Sequence, residues 1–380
     1  MSFELTDEQA LTREAVRQFA DTAVAPLAAE IDRDHRAPLE NLPAMAELGL
    51  FGMIVPEDLG GSGAGSLSYI IAVEELARRC ATHAVIVEAH SSLCCWPILT
   101  YGSPQQRQAY LPDLAAGAKI GAFALTEPAA GTDAASLTTS AKREGDQWVL
   151  NGQKVFITNG GFADVFVVLA RTDPEAPSAK GISAFIVEGQ SAGLTVGDPE
   201  RKLGIRGSST TPLIFSDLRL PSDALLGQEG QGFGIAMSTL DGGRTGIAAQ
   251  ALGIAQGAYE AAVAYAQERV QFGKPIARLQ AIQWMIADMA TDLEAGRLLC
   301  YQAADREERG LDFAVQASMA KLFCAQMAVR VASTAIQVLG GIGYTESYPV
   351  ERAYRDAKIT EIYEGTNEVQ RLVIAKSQLR

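Results

Sequence analysis

The sequence is poor in the residues that build disulfide frameworks and metal centres. Its 380 residues include five cysteines and three histidines. The cysteine number is odd, Cys94 and Cys95 are adjacent, and no CxxC spacing occurs, which indicates reduced thiols in a cytosol-like compartment. The histidines, His35, His83 and His90, are not spaced like metal ligands relative to each other or to a cysteine. We therefore expect no metal site.

Several short catalytic motifs and an excess of positive charge are also missing. There is no GxSxG nucleophile elbow, no GxxxxGK[ST] phosphate loop and no complete GxGxxG fingerprint. The 32 basic residues are outnumbered by 45 acidic ones, which gives a net charge of −13. Nothing in such a chain offsets repulsion from phosphates, so we expect neither nucleic acid nor an anionic membrane as a partner.

Long apolar runs are absent as well. Nowhere do 18 apolar residues follow one another, which predicts no membrane span. The first ten residues, MSFELTDEQA, are acidic and contain no apolar h-region, so we expect neither a secretory signal nor an Arg-rich transit peptide. These features predict a cytoplasmic protein, or a mitochondrial matrix protein if a transit peptide has been removed.

The patterning predicts a multidomain α+β chain. Hydrophobic residues make up 48% and charged residues 20%, which is typical of a chain with a substantial core. Residues 1–120 are predicted to form an N-terminal α-helical domain, 121–227 a middle β-sandwich or barrel-like domain, and 228–380 a C-terminal four-helix bundle. Apolar residues recur at helical spacing in the last region. Asn151-Gly152, between two apolar runs, predicts a hairpin turn in the middle one.

Two segments of the predicted β domain could contact a cofactor. Thr126–Asp133 follows an apolar strand with small residues and hydroxyls, which suit close approach to a cofactor or phosphate. Phe156–Gly161 offers an aromatic ring to cover a flat group and a hydroxyl to bond its edge. The alternative for both segments is an ordinary strand followed by a turn.

Four segments of the helical region break the helical pattern. Asp241-Gly242-Gly243-Arg244 places two glycines inside a helix-forming stretch, at a cost of about 1–2 kcal/mol relative to alanine. Such an inconsistency marks either a functional site or a helix kink. Arg269–Ile276 is either a ligand contact or a basic helix end. Gly340-Gly341-Ile342-Gly343 exposes backbone after a helix, and Glu364 lies in a turn before the last one.

Taken together, these segments resemble the acyl-CoA dehydrogenase family over essentially the whole chain. The most specific segments are Thr126-Glu127-Pro128 through Thr132-Asp133, Asn159-Gly160-Gly161, and the tail RAYRDAKITEIYEGTNEVQRLVIA from Arg352 to Ala375. The tail is most similar to the short-chain, butyryl-CoA branch of the family.

The resemblance implies FAD, bound between the β domain and the helical bundle. The contacts that it implies from the β domain are Phe123, Leu125, Thr126, Gly131, Thr132, Phe156, Ile157 and Thr158. Those implied from a neighbouring subunit are Arg269, Phe272, Gln280, Gln337, Gly340 and Gly341, while Thr366, Asn367 and Glu368 complete the site. Phe156 stands where the family usually has Trp. A cofactor shared in this way implies a homotetramer built as a dimer of dimers.

The resemblance also implies the chemistry. A short- or medium-chain acyl-CoA loses its α-proton to Glu364 and its β-hydride to flavin N5, giving the trans-2-enoyl-CoA, and electrons pass to an electron-transfer flavoprotein. The implied substrate contacts are Thr132, Asp241, Arg244, Tyr363 and Gly365. A minority of the family carries the base directly before the arginine of the DxxR helix. Gly243 occupies that position here, so Glu364 is the implied base.

Three alternatives remain open at this point. Branched short-chain and glutaryl-type acyl groups are alternative substrates. An acyl-CoA oxidase or a flavin monooxygenase could use the same fold, although typical oxidases are longer and the monooxygenases need no α-proton base. A non-catalytic helical scaffold is a different class, and it would be colourless.

Overall fold

The N-terminal part of the chain is helical. The computed structural model describes residues 4–176 and 178–379. The first helices are α1 (Asp7–Phe19), α2 (Ala28–Asp34), α3 (Leu42–Glu47), α4 (Gly65–Ala77), α5 (Ala81–His90), α6 (Trp96–Tyr101) and α7 (Pro104–Ala115). Thr6 caps α1, because its hydroxyl accepts from the Gln9 N–H while the Gln9 side chain accepts from the Thr6 N–H.

Helices α4 and α5 form the interior of this part. Helix α4 begins at Gly65, directly after the glycine-rich segment 60–64. Nearly every side chain of α4 and all those of α5 are buried. Helix α5 passes at its end into a π-helical turn, Ser91–Cys95. A charged side chain in these two helices is therefore an internal group, which matters for the site described below.

The middle part is one sheet of eight strands. They are β1 (Gly121–Ala124), β2 (Ser140–Glu144), β3 (Gln147–Ile157), β4 (Val165–Arg171), β5 (Ile182–Glu188), β6 (Leu194–Val196), β7 (Thr211–Pro221) and β8 (Leu225–Leu226). The strand order is β6-β7-β3-β2-β4-β5-β8, and β1 pairs parallel with β4. In β4, Val165 and Val167 pack towards helices, while Phe166 and Val168 fill a core on the opposite face.

The predicted hairpin turn at Asn151-Gly152 is wrong. Strand β3 runs through these residues, and the two-residue turn is Gly145-Asp146, where Gly145 has φ of 65°. Asn151-Gly152 instead forms a bulge against β7, and a Cβ on Gly152 would lie 2.6 Å from Thr139 Oγ1. The glycine is therefore needed for close strand contact, a reason that the dipeptide alone does not reveal.

Long helices return after the sheet. They are α8 (Gly232–Glu268), α9 (Gln280–Glu308), α10 (Ala314–Leu339), α11 (Val350–Ala357) and α12 (Asn367–Gln378), with a small hairpin of β9 (Val270–Gln271) and β10 (Lys274–Pro275) after α8. The predicted order of helical, β and helical regions is confirmed. Helix α11 has no counterpart in the sequence prediction. Helix α8 runs without interruption through Asp241–Arg244.

One helix has the length and composition of a membrane span. Ala314–Tyr344, which contains α10, is long and apolar enough to cross a membrane by length and composition alone, and half of its most apolar stretch is buried inside the protein. Helix α10 packs against α8, α9, α11 and α12. Those contacts are what a core helix of a bundle requires.

Candidate active site

Glu364 lies in a strained loop that leads into α12. Its φ is +52°, a left-handed conformation that is uncommon for residues other than glycine, and Gly365 follows with φ of +86°. Two buried side chains hold the loop from the interior: Lys321 Nζ donates to the Gly365 carbonyl at 2.9 Å, and Gln370 Nε2 donates to it at 2.8 Å. Thr366 caps α12 by accepting from the Val369 N–H. The backbone of Glu364 is therefore fixed by groups on α10 and α12.

The glycine pair in α8 makes room for this carboxyl. A Cβ on Gly243 would lie 2.0 Å from Glu364 Oε2, so a larger residue there would displace the carboxyl from this position. Arg244, beside it, is buried and paired with Asp241 one turn earlier. Among the described residues, Glu364 Oε2 is buried and accepts no hydrogen bond from an N–H group or an alcohol hydroxyl. The sequence signal of two glycines in a helix thus marks the place where the helix meets Glu364.

The environment of Glu364 favours a proton acceptor that works near neutral pH. Burial raises the pKa of Glu364 to about 7, and the positive charges of Lys321 and Arg244 counter part of that rise. Burial also lowers the pKa of Lys321 to about 8, against the opposing effect of Glu364. A carboxyl whose pKa lies near the working pH is suited to general-base catalysis.

Two charged residues of this region were not singled out from the sequence. Glu88 of α5 is 1% exposed, and Ser92 Oγ donates to its Oε1 at 2.6 Å. Lys321 is fully buried in α10. Each is an isolated charge in an apolar helix, and that pattern is the signal that could have found them. The buried Tyr69 hydroxyl lies beside Glu88 and has no well-aligned partner among the described residues.

The substrate contacts implied from the sequence divide into two groups. Asp241 and Arg244 form their ion pair next to Glu364, and the Tyr363 hydroxyl donates to Gln250 Oε1 on α8. Gly365 belongs to the Glu364 loop. Thr132 is exposed on the loop after β1.

The predicted cofactor contacts in the sheet have unequal access. Phe156 is 61% exposed although it is aromatic, and its φ is +60° at the end of β3. Phe123, Thr126 and Thr158 are half-buried, while Gly131 is exposed. Leu125 and Ile157 are 9% and 2% exposed and pack in the core, so their backbone is the part that is available for a ligand contact. Asn159 Nδ2 donates to the Ile86 carbonyl, which ties this strand end to α5.

Of the remaining predicted contacts, those at the far end of the bundle are not brought to Glu364 within one chain, whereas those at the start of α12 lie beside it. Arg269 lies 25 residues after Arg244, about 37 Å along α8. The set at this far end of the bundle is exposed: Arg269, Phe272, Gln280, Gln337, Gly340 and Gly341. At the α12 end, Thr366 and Glu368 cap and begin the helix, and Asn367 is buried with its amide oxygen 3.3 Å from Lys321 Nζ. The site is therefore split between two ends of the bundle.

Comparison with known proteins identifies the family. The N-terminal, middle and C-terminal domains of acyl-CoA dehydrogenases match residues 6–118, 122–218 and 230–379. The short-chain specific acyl-CoA dehydrogenase of Clostridium acetobutylicum is 54% identical over 99% of both chains. The acryloyl-CoA reductase (NADH) of Anaerotignum propionicum is 49% identical over 100% of this chain and 96% of the other.

Solved structures agree with that assignment over the full length. The butyryl-CoA dehydrogenase of Megasphaera elsdenii superposes with a TM-score of 0.98 at 47% identity, covering 100% of both chains. A chain from a study of the electron transferring flavoprotein of Acidaminococcus fermentans gives 0.99 at 48% identity, again covering 100% of both. Since three consecutive domains and full-length relatives all match, this chain belongs to the acyl-CoA dehydrogenase family of oxidoreductases.

Proposed function

We propose that the protein oxidises a short- or medium-chain acyl-CoA to the trans-2-enoyl-CoA with FAD, and that Glu364 is the base. The observation that carries the proposal is the Glu364 carboxyl itself. Its backbone has a left-handed conformation, Gly243 leaves space for it, and burial raises its pKa to about 7. A solvated turn glutamate would show none of these features.

The residues present fit a flavin. The exposed ring of Phe156 lies in a left-handed conformation where β3 bulges against β7, and such bulges are over-represented next to active sites. Thr126 and Thr158 place hydroxyls just after strands β1 and β3. A Cβ on Gly131 would meet no atom within 4 Å, so there is open space at its backbone. The middle-domain residues would hold the isoalloxazine and pyrophosphate. When bound, FAD supplies the acceptor for the hydride that leaves Cβ.

The chain's own residues manage the proton. Glu364 removes the α-proton, so that a Cα–H bond breaks and a carboxyl O–H bond forms. We assign polarisation of the thioester carbonyl to the backbone N–H of Glu364, since Lys321 and Gln370 fix this loop through the Gly365 carbonyl. Asp241 and Arg244 would contact the substrate beside the base.

We assign the far end of the bundle to a second copy of the chain. Phe272 and Tyr344 are 88% and 84% exposed there, although large apolar rings favour burial. A neighbouring subunit on this end would bring Arg269 and Gly340-Gly341 to its partner's FAD, within the homotetramer, a dimer of dimers, that the family resemblance implies. An electron-transfer flavoprotein as redox partner is supported by the structural relative from Acidaminococcus fermentans. A cytoplasmic location stays a prediction.

The reverse reaction, reduction of an enoyl-CoA, is a second candidate function, and one observation favours it. The relative from Anaerotignum propionicum is named an acryloyl-CoA reductase. The same residues could work in reverse, with Glu364 giving a proton to Cα while a hydride reaches Cβ. Initial rates measured in both directions, with butyryl-CoA and with crotonyl-CoA, separate the two physiological roles.

Anaerobic mixing of the purified protein with butyryl-CoA tests the proposal. We expect a yellow protein with one FAD per chain whose flavin absorbance bleaches on mixing. Rates on a series of straight, branched and glutaryl-type acyl-CoA esters would then identify the acyl group. A colourless protein after FAD reconstitution would support the scaffold alternative, and rapid hydrogen peroxide formation in air would support an oxidase.

A further inference from the structure

A second buried carboxyl lies next to the Glu364 carboxyl. Glu88 is 1% exposed in the middle of the interior, and no cation among the described residues acts on it. The Ser92 hydroxyl lies 2.6 Å from Glu88 Oε1 and 2.8 Å from the Glu88 backbone carbonyl oxygen, and its one proton is donated to one of them at a time. An isolated buried carboxylate is very costly, and a carboxyl in such a place is kept neutral instead.

Two glycines of α8 fix the relative position of the two acids. A Cβ on Gly243 would lie 2.0 Å from Glu364 Oε2, and a Cβ on Gly246 would lie 2.8 Å from Glu88 Cγ. Gly243 and Gly246 are three residues apart, so they are neighbours on one face of the helix. Both carboxyl groups therefore cover the same turn of α8, and they are within hydrogen-bonding reach of each other.

We propose that Glu88 is a protonated carboxylic acid that donates a hydrogen bond to the carboxylate of Glu364, so that the two acids hold one proton between them. This inference rests on the proposed role of Glu364 as the base. Glu88 is then a positioning residue: it keeps Glu364 ionised and oriented, and it retains its own proton while Glu364 takes the α-proton. The dyad would hold two protons after that step.

The surroundings decide which acid keeps the proton. The other titratable or charged groups that face the pair are Tyr69 of α4, Arg244 of α8, Lys321 of α10 and Tyr363 of the loop before α12, and Glu307 of α9 acts on Tyr69. The two cations act on Glu364 and favour its ionised form. Burial and the charge of Glu364 raise the pKa of Glu88 well above its usual range. Tyr69 is 4% exposed, and its buried hydroxyl, which has no well-aligned partner among the described residues, lies beside Glu88.

Infrared spectroscopy tests the proton directly and without turnover. At pH 9, where Glu364 and Glu307 are ionised because their pKa values are about 7, the wild type should show the C=O stretch of a buried protonated carboxyl, recognised by its shift in D₂O. Glu88→Gln should lose this band, whereas Glu364→Gln should keep it. If Glu88→Gln retains the full band, the dyad is wrong.

The pH profile of flavin reduction by butyryl-CoA gives an independent readout. Glu88→Leu removes the donor, so the acid limb should move to higher pH by about one to two units. Glu88→Gln still offers an amide N–H and should return the limb close to its wild-type position. A purely structural role would lower the rate equally at all pH values, and that result would overturn the inference.

The outcomes also separate this inference from the proposed function. If the wild type bleaches with butyryl-CoA but neither Glu88 variant alters the band or the acid limb, only the dyad fails. If wild-type flavin does not respond to any acyl-CoA, the proposed function fails, and the infrared band still decides whether Glu88 carries a proton. Should Glu88→Leu not fold, Glu88→Gln alone decides the matter by infrared.

Discussion

Two buried lysines of this protein serve different ends. Lys154 of β3 and Lys321 of α10 are both 0% exposed, and burial lowers the pKa of each to about 8. Lys154 Nζ lies 2.7 Å from Glu127 Oε1 and 2.9 Å from the Leu125 carbonyl. Lys321 Nζ instead donates to the backbone carbonyl of Gly365.

The carboxylates near these lysines differ accordingly. Glu127 is satisfied by Lys154, Thr138 and Thr139, and its pKa falls to about 2. Glu364 forms no ion pair with Lys321, and burial raises its pKa to about 7. A directly paired carboxylate stabilises the fold and is inert, whereas one that feels a cation only at a distance stays able to accept a proton.

The largest expected effect is on Glu364. Glu364→Gln keeps the shape of the side chain but cannot accept the α-proton, so flavin reduction by butyryl-CoA should slow about 10⁴-fold while FAD stays bound. Anaerobic stopped-flow measures this. Glu361→Gln is the matched control, because Glu361 is three residues away and pairs with Lys358 at the surface. A Glu364→Gln flavin that bleaches within tenfold of wild type would show that the base is elsewhere.

Breaking the other buried pair should mainly affect stability. Lys154→Met leaves Glu127 buried without its counter-charge, which costs about 3–5 kcal/mol of unfolding free energy. Denaturant titration measures the loss. The double variant Lys154→Met/Glu127→Gln should recover part of it, and a single variant as stable as wild type would contradict the contrast drawn between the two lysines.

The Arg269→Ala variant tests whether the far end of the bundle contacts the FAD of a neighbouring subunit. If the Arg269 guanidinium contacts the FAD of a neighbouring subunit, Arg269→Ala should weaken flavin retention by about 1.5–3 kcal/mol and loosen the oligomer at the same time. Gel filtration with a flavin assay reports both. Lys274→Ala, in the same exposed hairpin, should change neither. An intact tetramer with full FAD in Arg269→Ala would refute the shared site.

Lys321→Met tests the loop that carries Glu364. Loss of the ammonium leaves the Gly365 carbonyl with one donor fewer, at a cost of about 1–3 kcal/mol. Removing the positive charge should also move the acid limb of flavin reduction to higher pH, because the charge of Lys321 lowers the pKa of Glu364. Thermal unfolding and the pH profile are the measurements. A stability loss with an unmoved acid limb would mean that Lys321 only packs.

The smallest expected effect is the pH dependence of the wild type. Since Glu364 must be ionised to accept a proton and its pKa is about 7, kcat/KM should fall about tenfold per pH unit below 7 and level off above it. Steady-state assays across this range suffice. A flat profile between pH 5 and 8 would mean that Glu364 stays ionised throughout.

Local chemistry explains which features the sequence could predict. The position of Glu364 in a turn before the last helix depends on neighbouring residues, so it is visible in the sequence. Glu88 and Lys321 approach Glu364 only through tertiary packing of α5, α10 and the last loop, and a single sequence contains no sign of that meeting. The sequence predicts a turn at Asn151-Gly152, whereas the structure has a bulge there. The glycine is required by contacts with strand β7 and Thr139, which the dipeptide alone does not reveal.

Exchange of the α-proton measures the central claim most directly. A 3-thia-acyl-CoA has sulfur in place of Cβ, so it can lose an α-proton but cannot give a hydride. Incubated in D₂O with the FAD-loaded protein and followed by NMR, its α-position should take up deuterium with wild type and Glu361→Gln, and not with Glu364→Gln. Deuterium uptake by Glu364→Gln at the wild-type rate would contradict the assignment of Glu364 as the base.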